Sequence, residues 1–99
     1  MWPFKKSKAD VAIEWLPRAI EIAAEKWLEF EAQPFSKEFE LVDRIAFFTT
    51  GLEKGLGQWK AFDAAPPAIF ALIAAKGIER SGTHSKSEIE RALGVSLPD

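Results

Sequence analysis

Glu21, Glu25 and Glu29 are residues of this 99-residue chain whose type and spacing could do chemistry. Steps of four put their carboxylates on one side of a helix. Helical bundles hold paired metal ions with such glutamates, but they also use Glu-x-x-His motifs on facing helices. The chain has one histidine, His84, and Ser81, not Glu, stands three residues before it. There is no cysteine, so thiolate ligands and Cys nucleophiles are excluded. The three glutamates read as a solvated acidic face, or as a patch that meets a basic partner.

General acid–base catalysis most often uses histidine. The segment "GTHSKSE", residues 82–88, places His84 in a linker beside a helix start, with no Ser-His-Asp set to organise it. It reads as an exposed linker residue. The stretch "TTGLEKGLGQW", residues 49–59, carries three glycines and raises the question of a phosphate-binding loop. A P-loop needs Gly-Lys-Ser/Thr at its end. Here Gly55 is followed by Leu56 and Gly57 by Gln58, and Lys60 stands where a dinucleotide loop would need its third glycine. Gly57 instead reads as the end of a helix, with Trp59 folding back onto the last turn. No catalytic, cofactor-binding or metal-ligating residue is expected, and the chain is not expected to be an enzyme.

The N-terminal "MWPFKKSK" sets Trp2 and Phe4 beside Lys5, Lys6 and Lys8. Aromatics at headgroup depth and lysines on anionic lipid make an interfacial anchor. Three lysines and two aromatics make a weak one, since stable attachment takes two strong signals. These five residues are the expected contact if the chain sits on a membrane; otherwise the segment packs back or stays flexible. It has no apolar run of secretory length. The longest apolar run, residues 64–75, is too short to cross a bilayer, which takes about 20 residues. A soluble, cytoplasmic chain is expected.

These side chains need elements to position them. Residues 1–8 read as a flexible segment and 9–99 as one helical domain. Apolar residues make up 47% of the chain and charged residues 28%, as in globular proteins. Residues 9–32 carry Ile13, Leu16, Ile20, Ala24 and Trp27 at helical steps. Pro17 interrupts them, which predicts a kinked or two-piece first helix. Ser36 is the expected N-cap of a second helix over 37–56, striped by Leu41, Ile45, Phe48, Leu52 and Leu56. Thr49, Thr50 and Gly51 lower helix propensity in its middle and predict a bend or an early end. Pro66 and Pro67 suit the first turn of a buried third helix, which Ser81 and Gly82 end. Ser85 and Glu88 form a capping box for a short fourth helix closed by Gly94. Val95, Leu97 and Pro98 are expected to fold back on the body. No hairpin pattern and no repeat occurs. The fold class is all-α, a compact bundle of four to five helices.

The phrase "SEIERALGVSLPD" carries Glu88, Ile89, Ala92, Leu93, Gly94, Val95 and Ser96. It resembles the first half of a bacterial helix-turn-helix, in which a short helix runs into a glycine turn. That family's recognition helix follows the turn. Only three residues follow Ser96, so the resemblance implies no DNA binding by itself. Charge points the same way. Residues 10–43 hold nine acids against Arg18, Lys26 and Lys37, which repels phosphate backbones.

Eight Phe and four Trp with no Tyr are an unusual aromatic set. Trp15, Trp27, Phe30, Phe39, Phe47, Phe48 and Phe70 are expected to be mostly core. The stripes are nevertheless wider than a small bundle needs. Trp15 and Ile22 lie to one side of the Ile13–Ile20–Trp27 line, and Phe47 lies about 100° from Phe48. Exposed apolar surface of this kind marks interaction sites. Trp15, Ile22, Phe30 and Phe47 are the expected surface, with Glu21, Glu25 and Glu29 as its acidic rim. The expected function is a small non-catalytic interaction or accessory module, its partner a protein, self or other. A membrane-surface accessory protein or a DNA-linked regulator are the alternatives.

Overall fold

Short-range signals set the helix ends. In the computed structural model, which describes residues 8–98, the helices are α1 (Lys8–Glu31), α2 (Leu41–Leu56), α3 (Pro67–Ser81) and α4 (Lys86–Leu93). Short 3-10 segments, Pro34–Glu38 and Lys60–Phe62, lie in the first two connections. No strand occurs among the described residues. The fold is all-α, as expected. Pro67 opens α3 and Gly82 closes it at φ 80°, a left-handed conformation that glycine adopts without strain. Ser85 accepts from the Glu88 N–H while the Glu88 carboxylate accepts from the Ser85 N–H, a complete capping box. Gly94 closes α4 and Gly57 follows α2, again as the spacing predicts.

Three expectations need correction. The helix over 37–56 begins only at Leu41, and Ser36 does not cap it. Ser36 is wholly buried, and its hydroxyl lies 3.1 Å from the Glu31 carbonyl and 2.8 Å from that of Gln33. It thus satisfies the end of α1 rather than the start of α2, because the 3-10 segment turns it backward. Thr49 and Thr50 do not end α2. Their hydroxyls donate to the carbonyls of Ile45 and Ala46 one turn back, and the helix runs on.

The core face of α1 is turned partly away from the expected stripe. Ala24 and Trp27 are buried as expected and Leu16 and Ile20 pack against the core, but Ile13 is 60% exposed, and Ala12, Ala19 and Ala23 are buried instead. The cause lies on α3, against which α1 makes its most extensive packing. A Cβ added at Gly77 would stand 2.5 Å from the Cβ of Ala23 and 3.0 Å from its backbone carbon. Backbones this close admit alanines and a glycine between them, not isoleucine. Bulk is supplied around that line by Trp27, Phe48, Phe62, Phe70, Ile73, Ile78 and Ile89. Phe62 sits in the second 3-10 segment and is 1% exposed, so the connector contributes to the core. Leu97 folds back as expected, its N–H donating to the Glu90 carboxylate at 2.6 Å, whereas Val95 stays exposed.

Pro17 lies inside α1, which is one helix throughout. Trp2, Phe4, Lys5 and Lys6 lie outside the described residues. Lys8 is the first residue of α1.

Candidate functional site

α1 and α2 run side by side, joined through the Pro34–Glu38 turn, and meet less extensively than either meets α3. The shortfall opens a groove of about 390 Å³ between them. Ile22, Lys26 and Phe30 line it from α1, one residue per turn. Phe47, Phe48, Gly51, Leu52, Gly55 and Leu56 line it from α2, and Trp59 joins them beyond the end of that helix. Lys26 is the one charged side chain of the lining.

Two features hold the groove open. Gly51 and Gly55 both lie on its α2 wall, and a Cβ built at either meets nothing within 4 Å. Neither glycine is needed for packing within the chain. Each costs its helix about 0.5–1 kcal/mol relative to alanine. The aromatic rings form the other feature. Phe30 and Phe47 stack at 5.8 Å with planes 18° apart. Phe35 stands edge-on to Phe30 at 5.7 Å and to Phe47 at 6.4 Å. Phe30 in turn rests on the buried Trp27 and on Phe48. The aromatic cluster is therefore backed by core.

Phe30 and Phe47 also wall a second groove, of about 440 Å³, with Phe35, Phe39, Asp43, Arg44, Ala46 and Thr50. Phe47 is 66% exposed on the ridge between the two. Three of the four expected surface residues, Ile22, Phe30 and Phe47, thus come together. Trp15 comes near them indirectly: it packs edge-on to Trp59 at 6.3 Å, at one end of the groove. Of the aromatics expected in the core, Trp27, Phe48 and Phe70 are buried, whereas Trp15, Phe39 and Phe47 are exposed. Trp59, Phe35 and the two glycines were missed as site residues. The four-residue spacing of Gly51 and Gly55, on the same side of α2 as Phe48, was the available signal.

The glutamates lie beside this groove. At 100° per residue, Glu25 and Glu29 fall within about 60° of Ile22 around α1. Glu29 pairs with Lys26 at 3.4 Å and Glu21 with Arg18 at 3.4 Å, both exposed. Surface pairs of this kind contribute at most about 1 kcal/mol each. Among the described residues no group of His, Asp and Glu side chains is placed to hold a metal ion.

A polar clasp closes the C-terminal end of α1. His84 is not the exposed linker residue that its position suggested; its side chain is 15% exposed. Nε2 lies 2.9 Å from Glu31 Oε2, and Nδ1 lies 3.4 Å from Glu88 Oε2. Arg44 donates to the same Glu31 oxygen at 2.8 Å. The indole N–H of Trp27 donates to the Thr83 hydroxyl at 2.9 Å, and that hydroxyl shares a hydrogen bond with Ser81. The Ser85 backbone N–H, and after it the His84 hydrogen bond, hold the Glu88 carboxyl below the usual carboxylate range. This arrangement fixes three helices to one linker.

No family model, curated protein or solved structure matches the chain.

Proposed function

We propose that this chain is a small non-catalytic interaction module of the cytoplasm whose contact surface is the aromatic groove between α1 and α2. A second copy of the chain is its simplest partner. The reading is carried by Phe47, a large ring left 66% exposed on a ridge between two apolar grooves. Contiguous exposed apolar surface on small domains marks association sites, and aromatics are enriched in them. The open α2 wall at Gly51 and Gly55 supports the same reading, because it admits a partner's side chains between the helices. The acidic edge at Glu25 and Glu29, with Glu29 paired to Lys26 at 3.4 Å, then forms the rim. Within the same reading the helices close as a bundle and α1 bends at Pro17. Pro17 has no N–H for the carbonyl of Ile13, on a side where Ile13 is exposed to water.

Light scattering behind size exclusion, at several loading concentrations, tests this. Dimer mass that Phe47→Glu converts to monomer supports self-association through the groove. Monomer at every concentration rules out the second copy.

A lipid surface is the second reading. Ile13 and Trp15 are exposed on the first half of α1, next to the basic residues that precede it. It requires sedimentation with anionic liposomes that is lost on deleting residues 1–8. Among the described residues no helix is long and apolar enough to cross a membrane.

A further inference from the structure

We propose that His84 is a proton-operated latch that holds α4 and the α3–α4 linker against the end of α1. Both ring nitrogens face carboxylate oxygens, Glu31 at 2.9 Å and Glu88 at 3.4 Å. An ionised carboxylate only accepts. A neutral imidazole has one N–H, so it satisfies one of these contacts and turns a lone pair toward the other. The imidazolium has two N–H groups and satisfies both.

The charged groups against the ring agree with this. Glu31 approaches from α1, Glu88 from α4, and Arg44 from α2 through the same Glu31 oxygen. Two negative charges and one positive leave room for one more cation. The ring also rests edge-on to the buried Trp27 at 6.1 Å, so its position is set by packing as well as by charge.

α4 is the element that such a latch would govern. It is eight residues long, and its fully buried side chain is Ile89. Short helices with few buried contacts open before the core does. The proton keeps the Glu88 end of α4 tied to α1; its loss frees that end, while the shorter Glu31 contact keeps the ring in place.

Amide hydrogen exchange of the full chain, from about pH 5.5 to 8.5, reads the latch directly, because His84 is the only histidine and its ring protons report its own titration. After correction for intrinsic exchange, α4 protection relative to α3 should fall about fivefold as the ring loses its proton, the scale of a partly exposed ion pair. In His84→Gln the ratio should be independent of pH. Glu88→Gln keeps the cap, since glutamine serves at that position, and should remove most of the dependence. A wild-type ratio that stays constant while the ring titrates overturns the latch, as does an unchanged dependence in Glu88→Gln.

Discussion

Phe30 and Phe47 stack at 5.8 Å across the mouth of the α1–α2 groove, yet Phe47 keeps two thirds of its surface in solvent. One face of the ring is anchored and the other is offered. Replacing Phe47 by glutamate should therefore leave the monomer within about 1 kcal/mol of wild type, since little is buried there. Any self-association should be lost. Urea unfolding and light scattering on the same samples separate the two effects.

Glycines on two helices should respond with opposite signs. Gly77→Ala places a methyl 2.5 Å from Ala23 and forces α1 away from α3. A cost of about 1–3 kcal/mol is expected from overpacking. Gly55→Ala meets open space and should raise stability by about 0.5–1 kcal/mol. Its methyl also enters the groove, so association should weaken as the fold strengthens. Denaturation midpoints and molar mass together check this.

Trp27 is the buried centre of the α1 face, and its N–H bond to Thr83 spans 56 residues of sequence. Trp27→Phe removes that donor and leaves unfilled volume beside Phe48. A loss of about 2 kcal/mol is expected, read from the urea midpoint. Linker amides at Thr83 and His84 should lose protection before α3 does.

Acid should unfasten the start of α4. The Glu88 carboxyl is held below its ordinary range first by the Ser85 N–H and then by His84. A carboxyl lowered in the fold stabilises the fold above its unfolded pKa, and that contribution is lost as pH falls through the folded value. Stability should therefore decline from the ordinary glutamate range downward. Glu88→Gln should flatten that part of the slope in pH-dependent unfolding. Ser85→Ala should cost about 1 kcal/mol at neutral pH through the lost cap.

Most helix boundaries were legible because their causes sit within a few residues of one another. Pro66 and Pro67, Gly82, the Ser85–Glu88 box and Gly94 each act locally. Ser36 shows the limit: it had the right type for an N-cap, but a 3-10 turn brought its hydroxyl to the preceding helix. The candidate surface was legible in part, because Ile22, Phe30 and Phe47 fell outside the apparent core stripes. Trp59 was not, since a residue in a connector has no helical phase from which to read a face.

By itself, then, the sequence determined the all-α class and most helix ends, through caps, prolines and apolar periodicity. Only tertiary structure decided which face of α1 turns inward and where His84 goes. Side-chain size favours a stripe centred on Ile13 and Ile20, but the close approach of Gly77 on α3 turns Ala23 inward, so that Ile20 packs at the margin of the core and Ile13 is exposed. His84 meets a carboxylate 53 positions away. Both outcomes depend on how closely distant backbones approach, and that distance is set when the helices pack.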